Sequence, residues 1–133
     1  MTVRAQMHQD HHQWSMEHAA WQADVQAWRK ELNLAREEMG KVEAMLCQHD
    51  STLLEHAQKV RNHEQSVVCH EHTVVEQQRG ETPMPMEPGT EIHERERRSE
   101  HDLGEDHQRI KLRHHAMMVR LAKMKEWLNK PLE

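Results

Sequence analysis

The stretch LCQHDSTLLEHAQKVRNHEQSVVCHEHTV, residues 46–74, carries a histidine at every seventh position: His49, His56, His63 and His70. An apolar residue follows each histidine four positions later: Leu53, Val60, Val67 and Val74. A seven-residue repeat places both sets on one stripe of an α-helix, the stripe that a partner helix covers in a coiled coil. Because imidazole occupies positions where leucine is the ordinary choice, the stretch predicts a helix with a polar seam.

The same two tracks continue toward the N-terminus. The histidine track extends back through Met7, Trp14, Trp21, Trp28, Ala35 and Val42. The second track extends back through His11, His18, Val25, Leu32, Met39 and Leu46. Alternating steps of four and three persist for about ten heptads, where three or four suffice to indicate a coiled coil. The pattern therefore predicts one very long helix over residues 3–79.

A segment rich in proline and glycine, GETPMPMEPGT at residues 80–90, ends this pattern. Proline lacks the backbone donor and has a fixed φ, so this density of prolines predicts a turn. A second, shorter helix is predicted over residues 91–129, before Pro131. One of its tracks carries Leu103, Ile110, Met117 and Met124, and the other carries His93, Glu100, His107, His114, Leu121 and Leu128. We therefore expect a single all-α domain over residues 1–133, an elongated antiparallel coiled-coil hairpin.

A turn centred on Pro85 sets the expected register of the two helices. It places Leu103 opposite Val67 and Ile110 opposite Val60, so apolar residues meet in these layers. The intervening layers pair polar side chains: His107 with His63, His114 with His56, and Glu100 with His70. The register thus predicts that histidines of both helices lie at common levels.

Residues 3–39 retain an apolar seam, with three tryptophans, that the second helix is too short to cover. Two arrangements cover it: the chain folds back at Gly40 into a three-helix bundle, or the long helix pairs antiparallel with a second copy about a twofold axis near Gly40. A lone glycine costs a helix only about 1 kcal/mol, so we favour the homodimer. Both arrangements predict a three-helix cross-section.

In the dimer two layers receive three possible metal ligands each. One layer combines His18, His63 and His107, and the other combines His11, His70 and Glu100. Three imidazoles suit zinc, whereas two imidazoles and a carboxylate also suit iron, with nickel, copper and cobalt as further possibilities. Ligands must come from different helices, because neighbours seven residues apart are about 10.5 Å apart along one helix. The full set of predicted metal ligands is His11, His18, His56, His63, His70, Glu100, His107 and His114.

Two other functions remain open at this point. Histidines in a coiled-coil seam can fix register and give a pH response with no ion present, which makes the protein a structural oligomerisation module. Two histidines could also ligate haem, the less favoured cofactor. A narrow seam offers little room for a substrate, so the sequence favours binding or sensing over catalysis.

Composition restricts the partners. Only 35% of the residues are hydrophobic, against about 45–50% in ordinary globular domains, so narrow helical seams are favoured over a broad core. The net charge is −5, and the 18 Lys and Arg are dispersed among 23 Asp and Glu, which argues against a nucleic-acid partner. No stretch approaches the roughly 20 apolar residues of a membrane span, and the N-terminal residues do not resemble a signal peptide. We therefore expect a cytoplasmic location.

Overall fold

The computed structural model describes residues 2–80 and 86–132, with the backbone alone at 86–89, and this part of the chain contains two helices and no strand. Helix α1 spans Val3–Gln78 and helix α2 spans Met86–Asn129. The expectation of an all-helical chain, with one very long helix and one shorter helix, is confirmed.

Local interactions define both ends of α1. At its start the Thr2 hydroxyl accepts a hydrogen bond of 3.1 Å from the backbone amide of Ala5, which is the usual contact of an N-cap threonine. At its end Gly80 adopts a φ of +75° and its amide donates to the carbonyl of Gln77 at 3.1 Å. A glycine in this left-handed conformation commonly terminates a helix, since other residues adopt it at a steric cost.

Helix α2 begins earlier than the sequence predicts. Its first residue is Met86 rather than residue 91, so Pro88 lies in its first turn. Proline is tolerated there, because the first amides of a helix have no intrahelical acceptor. Residues 81–85, which belong to the predicted turn, lie outside the described residues. At the other end α2 stops at Asn129, close to Pro131, which disfavours helical backbone in the residue before it.

Contacts within the chain separate it into two units. We call Met1–Cys47 the N-terminal unit and Gln48–Glu133 the hairpin unit. The single-domain interpretation stays a prediction, and the two units are described separately below.

In the described part of the N-terminal unit, Val3–Cys47 is helical throughout. Helix α1 continues through Gly40 without a break, which excludes the alternative in which the chain folds back at that glycine. Polar side-chain contacts in this unit join residues three or four positions apart, as between Gln6 and Asp10 at 2.9 Å and between Gln13 and Glu17 at 3.0 Å. Most of its large apolar side chains are about half exposed or more, whereas Val42 and Leu46 are partly buried.

The hairpin unit brings the C-terminal part of α1 against α2 in antiparallel orientation. Contacts join His49 to His114 near one end and His70 to His93 near the other. Apolar side chains at and beyond these levels are partly buried: Leu53, Leu103 and Ile110 lie between them, and Val74, Ile92 and Met117 lie just outside them. Among the described residues, His49 alone is buried, with 6% of its surface exposed. The most buried side chain of this seam is therefore an imidazole rather than an aliphatic group.

Neither helix, over the described residues, combines the length and the apolarity that crossing a membrane requires.

Candidate functional site

The innermost layer of the hairpin unit pairs two histidines across the helices. His49 Nε2 lies 3.0 Å from His114 Nδ1, and the two rings stack with centroids 5.3 Å apart and planes inclined by 18°. Because α1 places His49 on its inward face, the ring is shielded from water on all sides. A hydrogen bond at this distance requires one ring nitrogen with a hydrogen as the donor and one without as the acceptor. At this contact one of the two nitrogens therefore carries a hydrogen and the other does not.

A second pair repeats this geometry one heptad along. His56 Nε2 lies 3.1 Å from His107 Nδ1, with ring centroids 5.3 Å apart and planes inclined by 31°. His107 is exposed and His56 is partly buried, so this layer is open to solvent on the α2 side. The repeat shows that the seven-residue spacing in both helices produces the same nitrogen-to-nitrogen approach twice.

The third layer is different, because its α2 residues are carboxylates. His63 Nδ1 lies 3.1 Å from Glu96 Oε2, and His63 Nε2 lies 3.0 Å from Glu100 Oε2. The side chains of His63 and Glu96 are 11% and 16% exposed, whereas that of Glu100 is 75% exposed. Ser66 also donates a hydrogen bond to Glu96. Only a protonated imidazole can donate from both nitrogens at once, so this geometry accommodates an imidazolium between two carboxylates.

The outermost layer joins His70 and His93. Their ring centroids are 5.8 Å apart and their planes are inclined by 37°. Nearby, Val74 and Ile92 line the same groove between the helices. This layer therefore combines a looser histidine pair with an apolar contact near the turn.

These contacts correct the predicted register by one heptad. His107 faces His56 instead of His63, His114 faces His49 instead of His56, and Glu100 faces His63 instead of His70. The physical reason is the early start of α2 at Met86, which moves the centre of the turn toward α1. A shift by a whole heptad keeps the same tracks facing each other, so histidines still meet at common levels.

The correction adds three residues to the site. His49, His93 and Glu96 were absent from the predicted ligand set, although each contacts the opposite helix. The signal for His49 and His93 was available, since both lie on the seam tracks in the sequence. Glu96 lies off those tracks, and nothing in the spacing distinguishes it from the other charged residues of its segment.

The two predicted ligands of the N-terminal unit lie beside tryptophans. The His11 ring is 5.4 Å from the Trp14 ring, and the His18 ring is 5.4 Å from the Trp21 ring, measured between centroids. The two residues of each pair are three positions apart on one helix, so these are contacts along a helix face. Both histidines are exposed.

Within the described residues of a single chain, no group of three or more His, Cys, Asp or Glu side chains is placed to hold a metal ion. Each interhelical layer of imidazoles instead offers two nitrogens. Two nitrogens bound to one tetrahedral zinc at about 2.0–2.1 Å lie roughly 3.3 Å apart. The observed 3.0 and 3.1 Å are close to this separation.

Two further histidines pair with glutamates on the surface of their own helix. His72 lies 2.9 Å from Glu76, and His101 lies 3.1 Å from Glu105, each four residues apart. Both histidine side chains are more than 70% exposed. Exposed pairs of this kind contribute little to stability, and they serve below as controls.

Comparison with known proteins gives no match: no family model, no curated protein and no solved structure is significantly similar to this chain.

Proposed function

We propose that the protein binds a divalent transition-metal ion between histidines of α1 and α2, as a binding or sensing module and not as an enzyme. The observation that supports this function is the approach of ring nitrogens from opposite helices to 3.0 and 3.1 Å in two successive layers. The layers His49 with His114 and His56 with His107 are the candidate sites. In this proposal the helices form an antiparallel coiled coil, with imidazole taking the place of leucine in its seam.

Zinc is the first candidate ion. Imidazole is a preferred zinc ligand, while iron, nickel, copper and cobalt accept similar donors and haem is the less favoured cofactor. Two protein ligands leave two coordination positions for water or for ligands from another chain. Because the two nitrogens come from different helices, binding of the ion and association of the helices are one coupled equilibrium. That coupling suits a sensor, since the occupied and empty forms differ in stability.

The test is metal analysis of the protein, followed by zinc titration in a calorimeter after chelation. We expect near-stoichiometric metal and a higher melting temperature with zinc than without it. His107→Ala removes one member of the exposed pair. Loss of a residue that only orients a metal ligand weakens metal binding by at least about tenfold, so we expect zinc affinity to fall by at least that factor. His101→Ala is the matched control, because it removes an exposed histidine of the same helix that contacts only Glu105 among the described residues.

A structural module without metal is the second candidate function. It is favoured by the His63 layer, where two carboxylates engage both ring nitrogens and leave none for an ion. Polar residues in a coiled-coil seam specify register and partner number at some loss of stability. This alternative predicts protein that purifies without metal and melts at one temperature whether or not zinc is added.

A further inference from the structure

An apolar stripe on the N-terminal unit is exposed to solvent in the part of the chain that the structure describes. We call it the tryptophan stripe; its exposed members are Met7, Trp14, Trp21, Val25, Trp28 and Leu32. The three tryptophans are 50%, 57% and 61% exposed. Soluble monomers rarely expose contiguous apolar surface on this scale, and such surface marks an interaction site.

The total exposed area indicates how much surface a partner has to cover. The chain exposes 11971 Å². A compact monomer of the same mass exposes about 7,300 Å², so the excess is on the order of 4,600 Å². Obligate dimers bury roughly 2,000–5,000 Å² in total, counted over both partners. Pairing with a second long helix is therefore well within the available area.

The hairpin unit offers a matching surface. Val60 and Val67 lie on the seam track of α1 between the histidine layers, yet they remain 45% and 37% exposed. Helix α2 covers one side of this track and leaves the other side open. An apolar surface that continues one heptad after another is the kind that a further helix packs against.

The charged residues that flank the seam of α1 favour one orientation and one register for two copies of this helix. With two α1 helices antiparallel and centred near Gly40, Arg36 flanks Glu43 of the other copy, and Arg29 flanks Asp50. A shift by one heptad in either direction brings Arg36 or Glu43 beside its own copy, which is repulsive. Of these three registers, only the centred one pairs opposite charges along the flanks of the two helices and places no charged residue beside its own copy at the axis.

We propose that a second copy of this chain covers the tryptophan stripe in this antiparallel register and completes one metal site. His11 of the second copy then reaches the level of His70 and His93, giving three imidazoles. The dimer rests on the exposed area and the flanking charges, while the third ligand rests on the metal-binding function proposed above.

Disulfide crosslinking tests the dimer in the full chain, with Cys47→Ser and Cys69→Ser as background. We expect a covalent dimer when a chain with Arg36→Cys is co-expressed with a chain carrying Glu43→Cys, and none when either is expressed alone. Leu32→Cys is the control for a parallel pair, because parallel helices place residue 32 beside its own copy. A crosslink in that variant overturns the antiparallel register. A monomer by light scattering at micromolar concentration overturns the dimer altogether.

Zinc titration of the chelated dimer tests the third ligand. His11→Ala is expected to weaken zinc binding at this site by at least about tenfold while the crosslink still forms. His12→Ala, another exposed histidine of the same segment, is expected to change neither result. Unchanged zinc affinity in His11→Ala overturns the completed site while leaving metal binding by the hairpin intact. A crosslinked dimer with no zinc affinity in the unaltered background overturns the metal-binding function and, with it, the third ligand.

Discussion

The N-terminal unit and the hairpin unit carry the same two heptad tracks and yet reach different states. In the hairpin unit the tracks meet α2, and side chains from both helices contact each other at four levels. In the N-terminal unit the equivalent positions hold larger apolar side chains, and the tryptophans remain at least half exposed. A heptad pattern thus defines which face of a helix has to be covered. A separate feature, here the nearby turn, determines what covers that face.

The largest expected effect comes from removing a tryptophan of the N-terminal unit. Trp21→Ala is expected to destabilise the proposed dimer by about 3–5 kcal/mol for each copy of the side chain that the proposed interface buries. The measurement is urea unfolding at several protein concentrations together with light scattering. Trp127→Ala is the matched control, because its side chain is 70% exposed near the end of α2. Equal, small effects at both positions would mean that the tryptophan stripe is solvated like any other surface.

A histidine pair of the hairpin unit gives the next largest effect. His49→Ala leaves His114 without its partner in a buried layer, which costs about 1–3 kcal/mol. Replacing both residues by leucine is expected to restore most of that loss, since neither helix then carries an unpaired polar group. Thermal unfolding followed by circular dichroism provides the comparison. If the single and double variants are equally unstable, the pair is not coupled across the helices.

The smallest effect concerns the glycines of the two units. Gly40 and Gly104 both lie within helices, and a Cβ at either position meets nothing within 4 Å. Alanine at each is expected to raise the free energy of unfolding by about 1 kcal/mol. Gly104→Ala in α2 is the reference for Gly40→Ala. A gain at Gly104 with a loss at Gly40 would indicate that the long helix bends at Gly40 in solution.

Much of the fold could be predicted from particular residues. Ten heptads without proline predict α1, and the prolines between Gly80 and Gly89 predict its end. The register was harder to predict. A shift of one heptad places His56 instead of His63 opposite His107, but each heptad track of α1 still faces the same heptad track of α2. The choice between these registers depends on where α2 begins, and that depends on whether Pro88 is accommodated in a helical turn.

The layers of the hairpin seam are evenly spaced. Successive layers are about 10.5 Å apart along α1, since each is seven residues from the next. The Debye length is about 8 Å at physiological ionic strength and about 30 Å at 0.01 M salt. In the proposed metal-binding function, ions bound at adjacent layers are thus largely screened from one another in the first condition and repel one another in the second. Zinc is then expected to bind the layers independently in physiological salt and with mutual repulsion in dilute buffer.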